Sequence, residues 1–318
     1  MRCLFTSFKI LIIFNNVMIG MKIKKRINVY ASQGLGNQLF VYAYIKNLLS
    51  NGSVGVAKIH FNRNSKIGFE FWLKDLVSKS HNRIYFQLNN SFEYFFRIAL
   101  FKISKPRKIR KKLRIYHEKE IFVYEDQLLK LPNHSLVFGS YINYKYIDPI
   151  FDELKDDVIT WLSDIPLPCE FTNIAEDSII LHVRRGDVSR GKPAAIRGSL
   201  SEAYYKKAID FIADARGFKP KNIIALTDDV KTSKTDLSSL PISYWFGPDK
   251  IDTVQTLKVF MNAKNFIGAN STLSWWGARL SISLPHQISI LPRPWLGFKE
   301  SNADKALHIP KVNYFKAE

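Results

Sequence analysis

From Ile179 to Leu291 the chain alternates short apolar runs with stretches of helical spacing, and this alternation constrains the fold more than any other feature. Ile179–Val183, Ile223–Leu226, Ile242–Trp245, Asn265–Ile267 and Gln287–Leu291 read as strands. Between them Ser201–Arg216 (Ser201 as N-cap), Asp252–Met261 and Ser271–Ser283 read as helices. Such alternation builds a parallel, doubly wound α/β sheet. The amino-terminal portion starts the same way. Ile27–Tyr30 reads as a strand, Gly34–Gln38 as a loop, and Leu39 opens a helix to about Ser50. Leu136–Ser140 reads as a further strand and Ile147–Leu162 as a helix, while helices are expected over the aromatic, basic middle to about Lys119. Ile165-Pro166-Leu167-Pro168 interrupts regular structure and marks the expected boundary between domains 21–165 and 166–318. A chain of 318 residues suits two such domains.

His182-Val183-Arg184-Arg185-Gly186-Asp187 follows directly on the run Ile179-Ile180-Leu181. Two guanidinium groups thus emerge where a parallel strand ends, the edge at which open α/β sheets bind ligands. A planar guanidinium grips phosphate oxygens bidentately, so a diphosphate suits the pair. A solvated basic turn is the plain alternative. Alternation puts His182 and Arg184 on one face of the strand and Arg185 on the other, so both arginines reach one ligand only if the strand ends near Arg184.

Asn265–Ala269 leads into Asn270-Ser271-Thr272-Leu273-Ser274-Trp275-Trp276-Gly277-Ala278, a strand, a small-residue turn and a helix start rich in hydroxyls. Backbone N–H groups and the positive end of the helix dipole favour an anion there, although an ordinary Ser/Thr cap has the same pattern. Trp275-Trp276 reads as helix-packing core. Ala225-Leu226-Thr227-Asp228-Asp229 ends a strand in two carboxylates, which suit a metal, a base edge or ribose hydroxyls. The chain has no Asp-x-Asp and no HExxH, so no catalytic metal is expected. Leu39 stands where a third glycine would complete a dinucleotide fingerprint, which excludes that reading of Gly34–Gln38.

A net charge of +19 calls for a polyanionic partner. Much of it lies between Arg97 and Lys119, interleaved with apolar residues, a mixture that suits an anionic lipid surface and, less well, nucleic acid. No RNA- or DNA-binding signature accompanies it. Cys3 and Cys169 form no CxxC. No window of 18 uninterrupted apolar residues occurs, and residues 1–20 read as an upstream extension before Met21, or as a weak surface anchor. One of four N-glycosylation sequons begins at Asn270, inside the expected site, which favours a compartment without that modification.

Gly34-Leu35-Gly36-Asn37-Gln38-Leu39-Phe40, His182–Asp187 and Asn270–Ala278 resemble, in order, the signatures of glycosyltransferase family 11, the α-1,2-fucosyltransferases that use GDP-fucose. Ser199-Leu200-Ser201 with Tyr204-Tyr205, and Thr227-Asp228-Asp229, are also similar. The resemblance spans about Ile27 to Trp295. It implies two Rossmann-like domains in a GT-B-like arrangement with the nucleotide sugar in the cleft between them. It implies an inverting, metal-independent transfer without a cofactor. By that likeness Arg185, assisted by Arg184, would neutralise the β-phosphate as GDP leaves. Ser271 and Thr272 would hold phosphate. His182, Asn270, Ser274, Asp228 and Asp229 would line the donor site. Gly36, Asn37 and Gln38 would face the acceptor or donor sugar. Asp187 is the nearest carboxylate to act as base. The family carries Asp where this chain has Thr256 and Trp where it has Arg279; Asp252, one turn before Thr256, is the expected substitute. The acceptor would be a lipid-linked oligosaccharide, a surface-glycan precursor such as an O-antigen unit, at the cytoplasmic face of a bacterial inner membrane, with Arg97–Lys119 docking on anionic lipid.

Overall fold

The computed structural model describes residues 25–31, 33–62, 70–80, 83–89, 112–172, 174–186, 198–281, 286–296 and 300–317. Residues 1–20, Asp187 and most of Arg97–Lys119 lie outside these.

The first half holds strands β1 (Arg26–Ala31), β2 (Val56–Asn62), β3 (Ile84–Asn89), β4 (Ile115–His117) and β5 (Ser135–Phe138). They form one parallel sheet in the order β3-β2-β1-β5-β4. In β1, Ile27 and Val29 are buried in the core while Asn28 faces the other way, its Oδ1 2.9 Å from His60 Nε2 of β2. The sheet is packed by α1 (Leu35–Ser50), α2 (Lys74–Ser80) and α3 (Phe151–Ser163). Leu154, Val158, Trp161 and Leu162 give α3 one buried stripe at helical spacing. In contrast, α1 is buried along nearly its whole length, because it packs against helices on more than one side. Lys46 on α1 is buried between Glu153 (2.9 Å) and Asp157 of α3.

The middle of this half departs from the expectation of helices alone, since β2, β3 and β4 are strands. Apolar Ala57, Ile59 and Phe61 alternate with polar Lys58 and His60 at a period of two, with His60 itself buried, and that apolar–polar alternation fits a sheet.

The second half holds β6 (Ile179–Val183), β7 (Ile223–Thr227), β8 (Tyr244–Phe246), β9 (Asn265–Ile267), β10 (Ile288–Arg293) and β11 (Asn313–Lys316). Their order is β11-β10-β9-β6-β7-β8, again all parallel. The accompanying helices are α4 (Glu202–Arg216), α5 (Val230–Asp236), α6 (Thr253–Asn262), α7 (Thr272–Ser281) and α8 (Asn302–Ala306). Ser201 caps α4 by accepting the N–H of Tyr204, and Gly217 ends it in the left-handed region at φ 65°. The α/β class with two Rossmann-like units expected from the sequence is therefore present.

Strand order reverses between β1 and β5 in the first sheet and between β6 and β9 in the second. Such switch points leave a crevice at the carboxyl edge of a sheet. The connection from α3 to β6 carries Ile165–Pro168. Its carbonyls are fastened to α6: Lys258 Nζ donates to Ile165 O (2.7 Å) and Gln255 Nε2 to Pro166 O (2.8 Å). A cavity of about 600 Å³ lies there, between this connection and the second half of α6. One apolar core runs through both halves. Its seam is Phe40 of α1 against Trp275 (4.9 Å) and Trp276 (5.0 Å) of α7.

Candidate active site

The loops that follow β6, β7 and β9 leave the same edge of the second sheet, where its strand order reverses. Between β6 and β9 the turn is closed from within. Ser274 Oγ accepts the N–H of Ala269 (2.9 Å) and lies 2.5 Å from His182 Nδ1. His182 is buried, and its ring packs on Phe260 at 4.8 Å. Desolvation, and then the charge of Arg184, push the imidazole well below its ordinary pKa, so it is neutral. From α4, Tyr205 donates to His182 O (2.9 Å) and Tyr204 to Gly268 O (2.7 Å), so adjacent tyrosines pin the ends of β6 and β9.

The strand ends at Val183, and the two arginines then diverge. Asp228 Oδ1 accepts the N–H groups of Arg185 (2.8 Å) and Gly186 (3.0 Å), and its Oδ2 pairs with Arg184 Nε at 3.1 Å. A Cβ on Gly186 would stand 3.0 Å from that Oδ2, so this carboxylate and the glycine fix the loop together. Arg185 is 3% exposed. Its Nε donates to Asp236 Oδ2 (2.8 Å), Nη2 to Leu200 O (2.7 Å) and Nη1 to Arg184 O (3.0 Å). Arg185, expected to meet the ligand, is thus turned into the protein. Arg184, expected to assist, keeps 24% of its side chain exposed at the sheet edge. The geometry reverses the expected accessibility of the pair.

The N-terminus of α7 points at the first half. Thr272 donates its hydroxyl to Asn37 Oδ1 at 2.7 Å, and the Asn37 amide donates to the side chain of Gln33. Gly34–Gln38, expected as a loop, is in fact the N-cap and first turn of α1. The glycine at 36 is required by close approach. A Cβ there would lie 2.5 Å from Thr272 Oγ1 and 2.6 Å from the backbone N of Leu273. Trp276 Nε1 closes the contact by donating to Gly36 O (2.8 Å). The positive ends of α1 and α7 therefore meet at one point, and two converging dipoles favour an anion more than one does. Ser271 sits half-buried at this point, and Asn270 is buried and donates to Gly198 O (3.2 Å).

Other expected site residues have structural duties. Gln38 is fully buried. It donates to Gln33 O (2.9 Å) and Glu70 O (2.7 Å) and accepts from Trp72 N (3.2 Å), so its side chain shapes the loops around the α1 start. Asp229 caps α5 through the N–H (3.0 Å) and hydroxyl (2.8 Å) of Thr232. Asp252 caps α6 in a reciprocal box with Gln255. Thr256 gives its hydroxyl to Asp252 O at 2.7 Å. Arg279 spans the seam, 2.8 Å from Asp148 and 4.0 Å from the ring centre of Phe151. Among the described residues, no group of three His, Cys, Asp or Glu could hold a metal, and no helix is long and apolar enough to cross a membrane.

The family model of glycosyl transferase family 11 matches residues 26–306. The chain belongs to glycosyl transferase family 11. The O-antigen biosynthesis glycosyltransferase WbnK of Escherichia coli is 27% identical over 306 residues, covering 86% of this chain and 95% of that protein. An alpha-1,2-colitosyltransferase of the same organism is 32% identical over 131 residues, 40% of this chain and 44% of the relative. Among solved structures, E. coli heptosyltransferase WaaC with ADP overlays at a TM-score of 0.46 and 12% identity, covering 92% of this chain and 94% of that one.

As a family 11 glycosyltransferase, the protein needs a nucleotide-sugar site and an acceptor site. Of the expected residues, the fold brings Ser271, Thr272 and Asn37 to the opposed helix starts and holds Arg184 on the same sheet edge beside Asp228, with His182 and Ser274 closing the turn between β6 and β9. Sequence reasoning missed Asp236, Gln33 and the carbonyl of Leu200. Each acts through a partner far along the chain or in an irregular turn. The tyrosine pair at 204–205 was the one visible signal of such support.

Proposed function

We propose that this glycosyltransferase moves L-fucose from GDP-fucose, with inversion and without a metal, to a galactose hydroxyl, O2, of a surface-glycan precursor. The observation that carries the reading is the meeting of the α1 and α7 N-termini at the carboxyl edge of the second sheet, the edge at which Arg184 also emerges from β6. As the sugar departs, negative charge grows on the β-phosphate. Fixed donors aimed at that charge are each worth about 3–4 kcal/mol when they act only in the transition state. Arg184 is held in advance by Asp228, so little reorganisation is left for the reaction. Arg185 holds the loop in shape. Thr272 and Asn37 keep the two helix starts in register, and Ser271 presents its hydroxyl to the diphosphate. The acceptor hydroxyl must lose a proton, and Asp187 is the carboxylate we assign to it.

Names of relatives support the setting. One acts in O-antigen biosynthesis, and another is a colitosyltransferase that forms an alpha-1,2 bond. The second name, with Thr256 in place of an expected Asp, favours one alternative: a different sugar nucleotide on the same site. We place the enzyme at the cytoplasmic face of the inner membrane, where Arg97–Lys119 meets anionic lipid and the acceptor is lipid-linked. Binding to vesicles of anionic lipid that is lost at high salt tests that placement.

The deciding experiment is GDP release from GDP-fucose, with and without β-galactosides, for wild type and Arg184→Ala. Release stimulated by acceptor in wild type and lost in the variant is the expected result. Turnover with a colitosyl nucleotide and none with GDP-fucose would move the assignment to the alternative donor.

A further inference from the structure

A cavity of about 340 Å³ opens where the two halves meet and is walled by Tyr144, Arg293, Asp304, Lys305 and His308. Its size lies at the lower end of ligand pockets. Tyr144 comes from the first half, on the turn Tyr144–Tyr146, and the other four come from the end of β10 and from α8 and its exit.

The cavity belongs to the same sheet edge as the opposed helix starts. Ile290 pairs with Ile267, the last residue of β9. Arg293 stands three residues further, about 10 Å along the strand direction. The wall is braced on both sides. Trp275 Nε1 of α7 donates to Leu307 O (2.7 Å), and Asn302 at the head of α8 donates to Glu120 (3.0 Å) in the first half.

Its chemistry is specific. Both oxygens of Asp304 serve the protein, accepting from Trp295 N (2.7 Å) and Ser301 N (2.7 Å). Arg293 gives its Nε to Glu300 at 3.1 Å. Lys305 and His308 are exposed to the opening, and Tyr144 is half-buried beside them. The formal charges of Arg293 and Lys305 are balanced by Glu300 and Asp304. Hydrogen-bonding groups therefore surround an aromatic wall with no net charge, which suits an uncharged ring bearing hydroxyls better than a phosphate or a carboxylate.

We propose that this cavity binds a pyranose of the acceptor glycan, next to the sugar whose hydroxyl is glycosylated. The inference rests on the glycosyl-transfer reading and extends it to the length of acceptor required.

The test compares lactose with methyl β-galactoside, for wild type, Lys305→Ala and Tyr144→Ala. In transfer from GDP-fucose, each substitution should raise KM for lactose roughly three- to tenfold, as for one or two lost hydrogen bonds. The KM for methyl β-galactoside and both kcat values should stay unchanged. Saturation-transfer NMR without donor reads the cavity directly, and the glucose ring of lactose should lose its signal in both variants. Wild-type lactose KM and signal in the variants overturn the proposal, as does an equal rise in KM for the monosaccharide or no lactose signal with wild type. GDP release from GDP-fucose with methyl β-galactoside as acceptor reports separately on the transferase reading, because its absence sinks that reading while the NMR result still decides the cavity.

Discussion

Thr272 and Asn37 lie 235 positions apart in the chain, and the hydroxyl of one donates to the side-chain oxygen of the other at 2.7 Å. This bond joins the first turns of two helices that start on facing sheets. It sits on Gly36, whose missing side chain lets the α7 backbone approach. Gly36→Ala should therefore be severe. The new Cβ meets backbone, which cannot step aside, so a loss of about 1–3 kcal/mol is expected from overpacking. Thermal unfolding checks it. Thr272→Val keeps the volume and removes one hydrogen bond, so it should cost only about 0.5–1.5 kcal/mol.

The two arginines should separate by readout. Arg184→Ala should lower kcat about 10²- to 10³-fold with little change in Tm, since its charge acts on the leaving group. Arg185→Ala should lower stability by about 1.5–3 kcal/mol, the loss of charged hydrogen bonds from a buried guanidinium. Paired melting curves and steady-state kinetics test this. An Arg185→Ala protein that melts like wild type but is inactive would restore the expectation drawn from the sequence.

His182 makes stability depend on acid. Its folded-state pKa is depressed by burial, while in the unfolded chain it titrates near 6.5. As pH falls through that value the unfolded chain takes up a proton first. The stability present above pH 6.5 should therefore decline toward lower pH until the folded-state pKa is reached. Denaturant titrations from pH 7.5 to 5 should show this slope, and His182→Gln should reduce it even if its stability is lower throughout.

Glu118 works in the opposite direction. Burial raises its pKa against backbone N–H groups of Ser140 and Tyr141 that lower it, and its buried Oε1 has no hydrogen-bond partner among the described residues. The folded chain then holds the proton more tightly than the unfolded one. Its contribution is full below the unfolded value near 4.5 and is lost as pH rises through the folded value. Glu118→Gln should be more stable than wild type at neutral pH and should flatten this decline. Its amide oxygen can still accept from Ser140 and Tyr141.

Much of the second sheet was legible because burial there follows the chain. Asn265–Ile267 was read as a strand with the bounds it has in the fold, and Ser201 was read as the cap it is. Trp275-Trp276 reads as helix-packing core from the sequence; that the pair is core for both halves depends on Phe40, which no local pattern announces. Glycines at 34 and 36 suggested a loop because glycine is locally permissive. Here Gly36 answers a contact with Thr272 in a distant helix, which sequence order hides. The alternation rule left Arg184 and Arg185 open, because β6 ends at Val183 and alternation stops there. Which one turns inward was decided by Asp236, 51 residues on, and by the carbonyl of Leu200.

The aromatic seam of Phe40, Trp275 and Trp276 has a consequence for building new transferases from this one. A chimaera that exchanges the second sheet at the Ile165–Pro168 connection would cut through a shared core and leave α7 facing a stranger's helix. The transplantable unit is the second sheet together with α1. Donor preference in this lineage is therefore better altered by grafting loops at the strand ends than by swapping halves.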